Sequence, residues 1–140
     1  MAKIAVVYWS GTGNTQAMAE LVKEGAESAG AQAELFTPGE FSADKAKEYG
    51  TIAFGCPSMG SEQLEETEFE PMYQSVRPVL GGKTVALFGS YGWGDGEWMR
   101  NWADDCGAAG CSLAAEPVTV NGAAEGPDAE ACRELGRVLA

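Results

Sequence analysis

The chain contains no histidine, and its 9 lysines and arginines are set against 21 acids, for a formal net charge of −12. Without imidazole, the commonest metal ligand and neutral-pH general base is missing. The deficit of positive charge excludes nucleic acid and anionic membrane surfaces as partners, because both would repel the protein. A basic partner is the natural complement. Cysteine is sparse as well: Cys56, Cys106, Cys111 and Cys132 form no C-x-x-C pair. With no histidine to help, they make too few ligands for zinc, and a metal site is not expected. A domain of this size needs no disulfide staples, so the thiols read as small buried hydrophobes. No apolar run approaches the length of a membrane span, and the N-terminus enters a strand pattern without a basic leader. The expected location is the cytoplasm.

What the chain does have is a regular alternation of two periodicities. Its 140 residues, 45% of them apolar, suit one core, so residues 1–140 are read as a single domain. Lys3 to Tyr8 is a short β-branched run, apolar at nearly every position, which predicts a strand covered on both faces. From Asn14 the period becomes helical, with Met18, Leu21, Val22, Gly25, Ala26 and Ala29 on one stripe and Gly30 as the stop. Ala33 to Phe36 is a weak second strand, and Ser42 can cap a short helix before Tyr49. Thr51 to Cys56 and Lys83 to Gly89 are the third and fourth strands, separated by a helical stripe of Phe69, Met72, Tyr73, Val76 and Leu80. Met99, Trp102, Ala103 and Cys106 mark the next helix. A fifth strand from Ser112 to Val120 is interrupted by Pro117, which suits an edge or a bulge. Pro127 opens a last helix that buries Cys132, Leu135, Gly136 and Leu139.

Five strands alternating with helices define an α/β fold, a doubly wound parallel sheet with helices on both faces. In such sheets ligands bind beyond the carboxyl ends of the strands, where the strand order reverses. Three segments arrive at that edge: Trp9 to Thr15, Pro57 to Glu66 and Ser90 to Gly96. The first leads a buried strand into a helix N-terminus, where free backbone N–H groups attract an anion. Gly11 and Gly13 allow the backbone to curl, and Ser10, Thr12, Asn14 and Thr15 add donors. This is a phosphate cradle without a cation; an ordinary glycine-rich turn with a threonine cap would look the same in isolation. The third loop, "SYGWGDGEW", sets Trp93 between glycines that cannot pack it, whereas Trp98 either packs or faces a ligand. The second, "PSMGSE", puts Met59 beside Gly60 in a turn. Together the loops suit a phosphorylated molecule with a large flat ring.

"YWSGTGNT", "MGSE" followed by "LEE", and "LFGSYGWGDGEWM" jointly resemble the flavodoxins, of the short-chain type found in anaerobic bacteria, over essentially the whole chain. The resemblance implies a flavodoxin-like five-stranded parallel sheet of order 2-1-3-4-5. It implies too a low-potential one-electron carrier that holds FMN non-covalently and shuttles electrons in place of ferredoxin. On that resemblance Ser10, Thr12, Asn14 and Thr15, with the backbone of Gly11 and Gly13, hold the FMN phosphate. Met59 lies on the inner face of the flavin ring and Trp93 on the outer face, with Pro57 and Ser58 in the same set. Gly60 offers its carbonyl to flavin N5, Glu62 meets the N3 edge, and the backbone of Ser90, Tyr91 and Gly92 frames the pyrimidine end. Ser61 stands where some relatives have aspartate, which removes one charge near N5.

Glu62, Glu65, Glu66, Glu68 and Glu70 crowd into nine positions beside this edge. They read as a rim on which basic faces of redox enzymes dock, on a protein expected to be a monomer. No nucleophile or acid/base pair accompanies the site, so the cofactor carries the chemistry and no substrate turnover is expected. A second reading, a flavin-dependent reductase such as a quinone reductase on the same fold, needs room for a second substrate that this chain has little sequence to build.

Overall fold

A computed structural model describes residues 3–11, 13–59, 63–92, 94 and 96–140. The elements run in order: β1 Lys3–Tyr8, α1 Asn14–Ser28, β2 Gln32–Phe36, α2 Ala43–Ala46, β3 Thr51–Gly55, α3 Phe69–Val76, β4 Thr84–Tyr91, α4 Glu97–Ala108, β5 Ser112–Leu113, β6 Val118–Asn121 and α5 Pro127–Leu139. The strands form one parallel sheet of order β2-β1-β3-β4-β5, with β6 also paired to β4. The fifth lane is therefore two short strands on the same edge. Pro117, which has no N–H to give, lies between them just before Val118.

Strand alternation divides the core between the two faces. Ile4 and Val6 of β1 pack with Met18, Val22 and Ala26 of α1 and Cys132, Leu135 and Leu139 of α5. Ala5 and Val7 face the opposite layer, where Phe54, Phe69, Tyr73, Trp98 and Trp102 cluster with α3 and α4. The aromatic rings there meet edge-on, as Phe54 and Tyr73 do at 5.7 Å and 89°. The helical stripes are observed with one correction at an end: Ala29 lies beyond α1 and is exposed, while Ala19 is buried instead. Helices α1 and α5 approach through paired glycines. A β-carbon on Gly25 would fall 1.9 Å from the Arg133 carbonyl oxygen, and one on Gly136 would fall 2.0 Å from that of Val22.

Ser42 caps α2 by accepting from the Lys45 N–H at 3.2 Å. Cys56, Cys106 and Cys132 are buried and Cys111 is half-buried; all four are free thiols. Burial pushes the Cys56 and Cys106 thiols up to about 12 and Cys132 up to about 11, so all three remain neutral. No helix among the described residues is long and apolar enough to cross a membrane. The parallel strands all run out toward one edge, where Tyr8 pairs with Gly55 and Gly55 with Phe88, while β4 continues past Phe88 to pair Tyr91 with Asn121.

Candidate functional site

At that edge the loops after β1, β3 and β4 converge on a cleft of about 290 Å³. Its walls include Ser10 and Gly11 from the first loop with Asn14 and Thr15 from the start of α1, Pro57, Ser58 and Met59 from the second loop, and Ser90 and Tyr91 from the end of β4 with Gly92 just after it. Ten of the residues expected at the site from the sequence thus line one cavity, drawn from three stretches of chain far apart in sequence. Gly13 belongs to the same loop without lining the cleft. It is the N-cap of α1 with φ of 98°, a left-handed conformation that favours glycine, and its N–H donates to Ser10 Oγ at 3.0 Å. Thr12, Gly60, Glu62 and Trp93 lie outside the described residues.

The donor set is neutral and polar. Thr15 and Ser90, both buried, share a hydrogen bond of 2.9 Å between their hydroxyls. One hydroxyl hydrogen is used in that contact, so the pair keeps one to donate elsewhere. Ser10 accepts from Gly13 and retains its own O–H. Ser10 and Thr15 sit at the N-terminus of α1, whose dipole adds partial positive charge. No lysine or arginine is among the lining residues. The set fits a phosphate held by amides and hydroxyls.

The second loop is tied to the sheet and to itself. Cys56 N–H donates to Phe88 O at 3.1 Å and Ser58 N–H to Ser90 O at 3.0 Å, which extends the β3–β4 contact into the loop. Met59 and Gln63 exchange two backbone bonds of 2.8 and 3.0 Å. A β-carbon on Gly89 would fall 2.2 Å from Cys56 O, so only glycine admits this approach of the strands. Trp98 packs rather than facing a ligand: it is 1% exposed, donates from Nε1 to Cys56 O at 3.2 Å, and lies 5.6 Å from the Tyr91 ring.

Glu65 departs from its expected place on the acidic rim. It is 5% exposed, and its carboxylate accepts the backbone N–H groups of Thr67, Glu68 and Phe69 as well as the Thr67 hydroxyl. Burial alone would raise its pKa, but these donors outweigh burial and hold the carboxyl below its ordinary value. The residue is a helix cap for α3 and has no face to offer a partner. Glu66, Glu68 and Glu70 are exposed as expected.

Two lining residues were absent from the sequence-derived set. Trp9 rests on the first loop, its Cη2 3.0 Å from where a Gly11 β-carbon would sit, and its Nε1 donates to Glu68 Oε1 at 3.1 Å. Gly122, at φ of 77°, follows β6 and donates its N–H to Tyr91 O at 3.0 Å. Its signal was available: a glycine directly after the last strand reaches the same carboxyl edge.

A doubly wound parallel sheet with a polar cleft at its switch point, beside a helix N-terminus, is the architecture of mononucleotide-binding α/β proteins. The profile of the flavodoxin family matches residues 6–136. A flavodoxin from Megasphaera elsdenii is 43% identical over 138 residues, covering 98% of both chains. One from Clostridium beijerinckii is 39% identical over 135 residues, 96% of this chain and 97% of the relative. The solution structure of the two-electron reduced M. elsdenii protein superposes with a TM-score of 0.90 at 40% identity, covering 97% of each chain. The chain belongs to the flavodoxin family. It is an FMN-binding electron carrier rather than an enzyme with substrate turnover, and standing in for ferredoxin is a general property of such carriers.

Proposed function

We propose that the cleft between Ser10–Thr15, Pro57–Met59 and Ser90–Gly92 holds FMN with its phosphate at the N-terminus of α1. The observation that carries this is the Thr15–Ser90 hydroxyl pair, buried in the cleft wall where the first turn of α1 meets the end of β4, with one hydroxyl hydrogen left to donate to an anion. When bound, FMN supplies one- and two-electron redox chemistry. The chain binds the phosphate with Ser10, Asn14 and Thr15, presents Met59 and Tyr91 to the ring, and excludes water from part of it. Thr12, Gly60, Glu62 and Trp93 complete the same set by their places in the three loops.

The cradle spends no cation, so the phosphate keeps its negative charge in a protein of net charge −12. That field, with the exposed acids beside the cleft, would lower the potential of FMN held here. Exposed Glu66, Glu68 and Glu70, with Glu62, form the rim on which a basic redox partner docks. Residues 1–140 act as one domain, a reading supported by the single sheet that joins the strands of the described residues, and work as a monomer in the cytoplasm, where thiols such as these four stay reduced.

Titration of flavin-free protein with FMN and with riboflavin, followed by flavin fluorescence, tests the placement. FMN is expected to bind at least about a hundredfold tighter, since several hydrogen bonds to a charged group are each worth about 1.5–3 kcal/mol. Equal affinities would remove the phosphate from this loop.

A further inference from the structure

Glu65 occupies an unusual place for an acid in a strongly acidic chain. Both carboxylate oxygens are fully engaged: Oε1 accepts from the N–H groups of Glu68 at 2.7 Å and Phe69 at 2.8 Å, and Oε2 accepts from Thr67 N–H at 3.0 Å and from the Thr67 hydroxyl. The backbone of the same residue closes the second loop, because its N–H donates to Cys56 Sγ at 3.4 Å and its carbonyl accepts from Glu70 N–H at 2.9 Å. Cys56 directly follows β3 and Phe69 begins α3, so Glu65 stands at the neck of the loop that carries Pro57, Ser58 and Met59 to the cleft.

A second arm leaves the same joint. Glu68, whose N–H Glu65 holds, accepts the Trp9 indole N–H at 3.1 Å. Trp9 rests against Gly11, and both line the cleft beside Ser10. One buried carboxylate therefore links the loop at the ring end to the loop at the phosphate end. Neither neighbour could replace it. Aspartate is a methylene too short to span Thr67 to Phe69, and glutamine would set an NH2 group against the Thr67 N–H.

We propose that Glu65 is a positioning residue for the flavin cleft, fixing the N-terminus of α3 so that the Pro57–Met59 arm and the Trp9–Gly11 arm keep the spacing that bound FMN requires. This rests on the cleft being the FMN site. Position and charge make opposite demands here. Removing a negative charge near a phosphate site tightens an anion by electrostatics alone, whereas releasing the joint loosens it.

The test is Glu65→Gln, read in two ways. In flavin-free protein, amide hydrogen exchange should accelerate at Thr67–Phe69 and also at Met59 and Gln63, whose mutual bonds lie outside the cap itself. FMN should bind about tenfold more weakly, the loss expected when a hydrogen-bonded charged group is removed. Tighter or unchanged FMN binding, or acceleration confined to Thr67–Phe69, would overturn the proposal and leave a helix cap. Thr67→Val, which removes one donor and keeps the carboxylate, should move the same amides by less, and serves if Glu65→Gln fails to fold. The exchange measurement is made without flavin, so it stands apart from whether FMN occupies this cleft.

Discussion

The hydroxyls of Thr15 and Ser90, 75 positions apart in the chain, meet at 2.9 Å inside the cleft. Replacing Thr15 by valine keeps the shape and removes one member of the pair. FMN affinity should fall by about 1.5–3 kcal/mol, roughly 10- to 150-fold, while riboflavin affinity changes little. Ser90→Ala should cost less, and the double variant should lose less than the sum of the two, because both residues belong to one network. Fluorimetric titration of the four proteins completes the cycle; equal losses for FMN and riboflavin would separate this pair from the phosphate.

Gly25→Ala and Gly136→Ala should each destabilise the fold by about 2–3 kcal/mol, since the added carbon would fall 1.9 and 2.0 Å from backbone oxygens of the facing helix. Gly107→Ala is the contrast. That glycine lies in α4 with nothing within 4 Å of a β-carbon, and alanine there should stabilise by about 0.4–1 kcal/mol. Urea unfolding of the flavin-free variants measures all three.

Acid should weaken the protein through two carboxyls. Partial burial raises the pKa of Asp105, but its bonds with Arg77 at 2.9 Å and Tyr73 at 2.8 Å outweigh burial and hold it below the ordinary range; Glu65 is held low by its backbone donors. Each folded pKa is lower than the unfolded one, so each contribution is complete above the unfolded values, about 3.9 for Asp and 4.3 for Glu, and fades as pH falls through the lower folded values. Protonating the other acids relieves repulsion and acts in the opposite sense. The difference between wild type and Asp105→Asn in urea midpoint should therefore be full near pH 6 and shrink below about pH 4; a difference independent of pH would remove Asp105 from the acid transition.

Glu66→Gln with Glu70→Gln should raise the more negative flavin midpoint potential by tens of millivolts, on a scale where about 1.4 kcal/mol is roughly 59 mV for one electron. Both side chains are exposed, so the shift should shrink as salt is added. The same pair should reduce the salt dependence of electron transfer to a basic redox protein, measured by stopped flow. Unchanged slopes would move the docking surface elsewhere.

Much of this site is readable in the sequence because it depends on local pattern and chain direction. A β-branched run followed by a helical stripe fixes where each strand ends, and parallel strands must bring those ends to one edge, which is why Ser10, Met59 and Tyr91 could be grouped before any coordinates. The same logic located α5, with Cys132, Leu135, Gly136 and Leu139 buried as the stripe predicts. Side-chain direction within a loop has no such rule. Five glutamates in nine positions look alike in sequence, and Glu65 turns inward because its N–H returns to Cys56 Sγ and its carboxylate meets three N–H groups at the start of α3. Trp98 was ambiguous for the same reason until the Cys56 carbonyl and the Tyr91 ring supplied its partners. Periodicity reports which face of an element is apolar; only packing brings a distant donor to a particular acceptor, and that decided which acid is part of the scaffold and which acids are left at the surface.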